Sequence, residues 1–260
     1  MKKIIMGEFR RMVNFAPIEC GNLVVRLAET EAEKDEAYRL RYEELLLHYN
    51  KNNENIEKKF KDVYDDLCDH LICCDITNQR VVGTYRLVMK KHIEDVGSFV
   101  TEDEYDIYKI KSNNILELGR AVVTEDYRGG SVIKLLWRGL IKYAKLNNVR
   151  YMFGTGSFFG NDINEYKHAL SYIYYNHLSP QDVRVQAREH SRSKINLISP
   201  EQIDLRKAKN EMPTLIKGYI KIGATFGEDA FIDVPFNSID VFVLLDVDKV
   251  DPGILKRFLA

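Results

Sequence analysis

Long apolar runs are missing from this chain: nowhere do its 260 residues offer the roughly 18 to 20 consecutive apolar positions a helix needs to cross a bilayer, which excludes a protein of membrane-spanning helices. Cysteine is scarce too. Cys20, Cys68, Cys73 and Cys74 lack the paired CxxC spacing of a zinc site, and no signal-peptide pattern precedes them, so reduced thiols in a cytoplasmic protein are expected. Charge of one sign is absent: the formal net charge of -1 gives no global pull toward nucleic acid or an anionic membrane, and a nucleic-acid partner is not expected. There is no P-loop and no dinucleotide fingerprint, which argues against nucleotide hydrolysis and hydride transfer. No Ser-His-Asp order or activated cysteine stands out as a covalent nucleophile. With six prolines, no low-complexity tract and no internal repeat, the chain reads as an N-terminal arm over residues 1–22 and a single domain over 23–260 with a C-terminal elaboration. Within the arm, Ile4 to Phe15 carries Arg10 and Arg11 and reads either as a frayed, domain-covering terminus or as a basic arm lying at a membrane interface.

What is present is an alternation of strand-like and helix-like periods. Leu23 to Ala28 alternates as a strand, and Glu29 to Asn50 follows with helical spacing of Ala37, Leu40, Leu45 and Leu46. Lys51 to Lys61 lacks an apolar face and reads as a mobile, lid-like connection. His70 to Ile76 and Arg80 to Met89 flank the polar turn Thr77-Asn78-Gln79 as an antiparallel hairpin. Ile115 to Val123 is a further strand, and the turn Asp126 to Gly130 opens into an amphipathic helix over Val132 to Leu146. Tyr151 to Phe158 reads as strand, Ile163 to His177 as helix, Met212 to Ile222 as helix, and Ala230 to Val234 with Asp240 to Leu245 as a strand pair. The order predicts an α/β fold with a mixed sheet under helical cover.

Three constellations carry chemistry. Arg128-Gly129-Gly130 with Ser131, at a strand-to-helix turn, offers bare backbone N–H groups and the positive end of a helix dipole, the usual answer to a phosphate, although such a turn is also common as plain punctuation. Glu117 and Arg120 lie three apart in an otherwise apolar strand, so they point to opposite faces unless a bulge intervenes; a structural ion pair is the other reading. Asp62, Asp65, Asp66 and Asp69 precede His70. These carboxylates lack the glycine and distal glutamate of a calcium loop, so no metal is expected, and they suit an acceptor that bears ammonium groups.

Taken together, Arg41, Asp62-Val63-Tyr64-Asp65, Gly83-Thr84-Tyr85-Arg86-Leu87 and Glu117-Leu118-Gly119-Arg120 resemble the ordered signature of the acyl-homoserine-lactone synthases. Cys68-Asp69-His70-Leu71, Leu136-Trp137-Arg138-Gly139-Leu140, Ala169-Leu170-Ser171-Tyr172 and Leu215-Ile216-Lys217-Gly218-Tyr219 bring the chain closer to the ornithine-acyl-carrier-protein N-acyltransferases, over roughly Arg26 to Val247. Leu45 stands where the lactone synthases carry an aromatic residue, which speaks against lactone formation.

The resemblance implies a GNAT-like fold, a central mixed and mostly antiparallel sheet flanked by helices, splayed beside the Ile115–Val123 strand to admit a pantetheine arm. It implies transfer of a (3-hydroxy)fatty acyl group to the α-amine of ornithine, giving lyso-ornithine lipid. The donor would be an acyl-acyl carrier protein, a phosphopantetheine thioester, or acyl-CoA, with no permanently bound cofactor. Glu117 and Arg120 are then the expected catalytic pair, Glu117 as general base. Arg41, Asp62, Asp65, Asp69, His70 and Arg86 are expected around the acceptor, and Arg128, Gly129, Gly130 and Ser131 on the donor's phosphate. Lys142, Lys145, Arg150, Arg184, Arg188, Arg192 and Lys194 would meet an acidic carrier protein, and Phe158, Phe159, Tyr172, Tyr174 and Tyr175 would line an acyl tunnel. The expected partners are acyl carrier protein and a small amino-acid acceptor, at the cytoplasmic side with a peripheral contact to the inner membrane. The competing readings are an N-acyl amino acid or acyl-homoserine-lactone-like signal synthase, and a noncatalytic acyl-carrier or lipid-binding module.

Overall fold

The computed structural model describes residues 14–50, 56–251 and 253; most of the expected N-terminal arm and the start of the expected lid lie outside them. In chain order the strands are β1 (Ile18–Cys20), β2 (Leu23–Leu27), β3 (Asp69–Asp75), β4 (Arg80–Met89), β5 (Tyr105–Asp106), β6 (Ile115–Val123), β7 (Tyr151–Phe159), β8 (Gln186–Ala187), β9 (Arg192–Lys194), β10 (Thr225–Asp233) and β11 (Ser238–Asp246). The main helices are α1 (Glu31–Arg41), α2 (Ser131–Leu146), α3 (Lys167–His177), α4 (Leu205–Glu211) and α5 (Thr214–Lys221).

Nine strands form one sheet in the order β1-β2-β3-β4-β6-β7-β11-β10-β9. Every pairing in it is antiparallel except β6 with β7, so the expected mixed, mostly antiparallel sheet is what forms. The parallel pair is short: only Ile115, Leu116 and Glu117 register with Tyr151, Met152 and Phe153, and beyond Glu117 the two strands part.

Helix α1 begins at a capping box in which Thr30 Oγ1 accepts from Glu33 N and the Glu33 carboxylate accepts from Thr30 N, satisfying amides that a helix start would otherwise leave open. Its buried Ala37 and Leu40 pack on Ile72, Val81 and Val122 on one face of the sheet. The chain then passes without a break into a π-helical turn, Tyr42–Leu46. On the opposite face α2 buries Val132, Leu135, Leu136, Leu140 and Tyr143, whose three- and four-residue spacing makes one stripe. Each of these leucines contributes about 1.5–3 kcal/mol by leaving water. Residues on either side of Glu117 alternate between the two faces, Leu116 toward α2 and Glu117 with Ile115 toward the α1 side. Among the described residues no helix is long and apolar enough to cross a membrane.

Candidate active site

The strand that carries Glu117 and Arg120 is bulged. β4 and β6 pair Arg86 with Gly119 and Thr84 with Val122, so two steps on β4 oppose three on β6. Arg120 absorbs the extra residue with φ of 54°, a left-handed conformation that side chains other than glycine, asparagine and aspartate seldom adopt. The bulge foreseen as the condition for a shared face is therefore present, and Glu117 and Arg120 both line one cavity of about 920 Å3.

The Glu117 carboxylate is buried, accepting from the Thr101 backbone N–H at 2.6 Å, the Thr101 hydroxyl at 2.5 Å and the Val100 N–H at 3.2 Å. Burial pushes it above the ordinary carboxylate range, against the Thr101 hydroxyl and the charge of Arg86. A glutamate whose proton affinity is raised in this way is suited to act as a base.

Behind the cavity lies a ladder of buried charges. Arg41 donates to Asp65 at 2.7 Å, with both side chains fully buried. Arg86 donates to both oxygens of Asp62, at 2.7 and 2.6 Å, and stands 3.6 Å from Asp65. Arg120 donates to Asp62 at 3.0 Å, with its guanidinium 3.9 Å above the centre of the Phe60 ring. Burial alone would raise Asp62, but Arg86 and then Arg120 hold it down at about 2. Burial and the neighbouring Arg86 lower Arg120 to about 10, with Asp62 resisting. Phe60 comes from the connection read as lacking an apolar face; of that connection, residues 51–55 lie outside the described residues.

Each expected site residue can now be placed. Arg86 and Arg120 reach the cavity, with Asp62 bonded to both. Arg41, Asp65 and His70 stand one layer deeper. His70 Nδ1 lies 2.9 Å from the Arg41 guanidinium and so accepts from it, which leaves Nε2 to donate to the Asp65 carbonyl at 2.8 Å. That arrangement requires a neutral ring, and burial with the nearby Arg41 lowers His70 to about 4. Asp65, Cys68 and His70 present donor atoms within 4.8 Å of one another, but the Arg41 and Arg86 guanidinium groups already supply the positive charge there. Asp69 lies elsewhere, accepting from the Tyr143 hydroxyl at 2.6 Å with His92 at 3.7 Å.

Two more cavities adjoin the first, and one of them lies between the parted strands. Leu118 on β6 and Thr155 on β7 line both the large cavity and a small apolar slot of about 40 Å3 that is completed by Trp137, Met152 and Tyr219. Gly154 permits a close approach of the two backbones at the vertex where the register ends, since a Cβ there would sit 2.2 Å from the Leu118 carbonyl oxygen. A third cavity, about 840 Å3, shares Ala121, Arg128 and Leu215 with the first and Trp137 with the slot. Its wall carries Arg128, Lys134, Arg138, Lys217 and Lys221 beside Gly130. Gly130, at φ of 96°, turns the chain into α2 without a side-chain cap, and nothing lies within 4 Å of where a Cβ would stand on Gly129 or Gly130. Ser131 is the first residue of the helix. Arg128 donates to Glu44 of the π-helical turn at 2.5 Å.

Among the described residues, those expected around an aromatic tunnel lie away from these three cavities. Phe158 packs in the core against Tyr166, Phe159 lies against His48 and Tyr49, and neither these nor Tyr172, Tyr174 and Tyr175 line any of the three cavities. Of the basic residues expected to meet a carrier, Arg150 is paired with Asp246 and Asp248, and Arg184 and Arg188 donate to backbone carbonyls. Sequence reasoning also missed a second acidic group at the cavity wall, Glu104, Asp233 and Asp240. Its one legible signal was Asp240, a charge inside the apolar run of β11.

Comparison with known proteins agrees with this geometry. Residues 38–138 match the acetyltransferase (GNAT) domain. The chain is 34% identical over 236 residues to an L-ornithine N(alpha)-acyltransferase of Rhodobacter capsulatus, covering 87% of this chain and 90% of that protein. It is 34% identical over 252 residues to the protein of the same name from Brucella abortus, covering 92% and 90%. Among solved structures, a CoA-dependent acyl-homoserine lactone synthase with MTA superposes at a TM-score of 0.52 over 90% of this chain and 86% of that one, at 12% identity, a likeness of fold.

Proposed function

Because this chain belongs to the family of L-ornithine N(alpha)-acyltransferases, we propose that it transfers a (3-hydroxy)fatty acyl group from the phosphopantetheine thioester of acyl carrier protein to the α-amine of ornithine, giving lyso-ornithine lipid. The enzyme is an acyltransferase of the GNAT fold, and its donor is an acyl thioester. The observation that carries the proposal is the parting of β6 from β7 immediately after Glu117, beside a carboxylate-lined cavity that shares Ala121, Arg128 and Leu215 with one rimmed by lysine and arginine.

In this reading the carrier's phosphate lies at the glycine corner, where Gly129, Gly130 and the N-terminus of α2 leave backbone N–H groups open and Arg128 adds charge. The pantetheine arm runs between the strands, and the acyl chain enters past Leu118 into the slot beside Trp137. Glu117 takes a proton from the α-ammonium. The freed amine attacks the thioester carbonyl, the N–C bond forms, the C–S bond breaks, and the carrier thiolate leaves and is protonated. Backbone N–H groups of β6 beyond Glu117, where its register with β7 ends, stabilise the oxyanion. Arg86 and Arg120, fixed by Asp62, orient the acceptor carboxylate. Preference for carrier protein over coenzyme A is favoured by the basic rim, which suits an acidic protein surface. A peripheral contact with the inner membrane belongs to the same proposal, since the product is an amphiphile.

Purified protein given ornithine and either acyl-acyl carrier protein or the matching acyl-CoA tests this. The expected result is N-acylornithine by mass spectrometry, with the carrier thioester giving the higher kcat/KM. Acylation of no amino acid from either donor overturns it.

A further inference from the structure

Three carboxylates stand together at one wall of the acceptor cavity, and no cation among the described residues is bonded to them. Glu104, Asp233 and Asp240 bring one oxygen each within 4.8 Å of one another. Asp240 is 3% exposed; its Oδ2 accepts from the Ser238 hydroxyl at 2.8 Å and the Ser157 hydroxyl stands close enough to steady the carboxylate as well, while Oδ1 is buried and makes no hydrogen bond of ordinary geometry among the described residues. Glu104 Oε2 is buried and unpartnered in the same way. Asp233 accepts from the Phe236 N–H at 2.9 Å. Among the described residues none of the three forms an ion pair. The nearest guanidinium in electrostatic reach, Arg120, is bonded to Asp62.

Buried carboxylates in mutual contact are costly unless a cation joins them. The cost shows in their titration: burial and mutual repulsion raise Glu104 well above the usual range, and burial foremost brings Asp240 to about 6. The scaffold nevertheless fixes them. Asp240 is paired in register with Ser157 of β7, and the Tyr105 hydroxyl donates to the Asp240 carbonyl at 2.7 Å. Glu104 is set by the turn that Glu117 grips through Thr101, and its own backbone carbonyl accepts from Arg188 N at 2.7 Å.

We infer that Glu104, Asp233 and Asp240 are the subsite for the side-chain ammonium of a dibasic amino-acid acceptor, holding it while the α-amine meets Glu117 at the mouth of the cleft. This rests on the proposed function and adds what selects the acceptor. The cluster and the Glu117 carboxylate line one cavity, and Glu104 feels the charge of Glu117, so one molecule in that cavity can face both. An ammonium offers three donors to the unpartnered oxygens, and a methyl group in its place offers none. A site built to bond a charged group rejects an analogue lacking it far more strongly than an apolar pocket rejects a missing methylene.

The experiment compares kcat/KM for ornithine and norvaline, which has the same chain without the terminal amine, using one acyl-acyl carrier protein and the full chain. Wild type is expected to favour ornithine by about a hundredfold, and Asp240→Asn to cut the ornithine-to-norvaline ratio by about tenfold or more. Glu104→Gln, at a less buried position, is expected to act in the same direction and decides the matter should Asp240→Asn fail to fold by circular dichroism. An unchanged ratio in the folded variants, or equal loss for both acceptors, overturns the subsite while ornithine acylation stands. Loss of wild-type activity in EDTA with recovery in calcium or magnesium assigns the cluster to a metal and overturns it too. Acylation of neither amino acid by wild type instead removes the proposed function itself.

Discussion

Glu117 and Arg120 share one cavity although they sit three apart on a strand, because Arg120 occupies a bulge at φ of 54° and turns its guanidinium back to Asp62. The base and the residue that orients the acceptor are thus carried by one element, at the point where β6 leaves β7. A strand without the bulge would send the two side chains to opposite faces.

Replacing the base tests this arrangement. Glu117→Gln is expected to lower kcat by about 100- to 10,000-fold and to leave the donor KM near wild type. In the wild-type enzyme the acid limb of kcat/KM should fall above the ordinary glutamate value of about 4.3, since burial raises Glu117. Full turnover by the variant in steady-state assays would remove Glu117 from the chemistry.

The fully buried Arg41–Asp65 pair supports the site from behind. Asp65→Ala leaves the Arg41 guanidinium without its carboxylate and is expected to cost about 3–5 kcal/mol of unfolding free energy, read from urea titration. A loss below about 1 kcal/mol would mean that water or a moved side chain replaces the carboxylate.

His70 makes stability depend on pH. Its folded value of about 4 lies below the unfolded value of 6.5, so between them the unfolded chain binds more protons than the native one. Its contribution is therefore complete above about 6.5 and falls away as the solution is acidified toward about 4, by roughly 3 kcal/mol in all. Urea midpoints at pH 7.5 and 5.5 should differ less in His70→Gln than in wild type; equal differences would contradict the neutral ring.

Gly154 guards the vertex of the parted strands. Gly154→Ala would place a methyl 2.2 Å from the Leu118 carbonyl oxygen, against backbone that cannot swing aside. A loss of about 1–3 kcal/mol is expected, together with reduced activity, measured by thermal melting and acyl transfer. Wild-type values for both would show that the strands do not approach there.

Much of this was legible in the sequence, and the failures have physical reasons. The Ile115–Val123 strand and the helix opening at Ser131 follow from local periodicity and the glycine turn, both short-range signals. The linkage of Asp62, Arg86 and Arg120 followed from residues whose motif order is distinctive. The bulge left no mark, because Arg120 holds a conformation that glycine usually advertises. Asp233 and Asp240 sit on one hairpin, but Glu104 is far from it in the chain and meets it only through the sheet register and the turn beneath Glu117. Tyr172, Tyr174 and Tyr175 of α3 line none of the three cavities, and a cluster of aromatic residues in the sequence does not say which wall of the sheet a cavity adjoins.

The most direct test of the account is a single-turnover reaction of enzyme-bound 3-hydroxyacyl-acyl carrier protein with ornithine, following free carrier thiol and locating the acyl group by tandem mass spectrometry in wild type and Glu117→Gln. The account predicts one thiol released per acylornithine, the acyl group on the α-nitrogen, and a step slowed by the substitution. Thiol release without acylornithine, or transfer at an undiminished rate in Glu117→Gln, would contradict it.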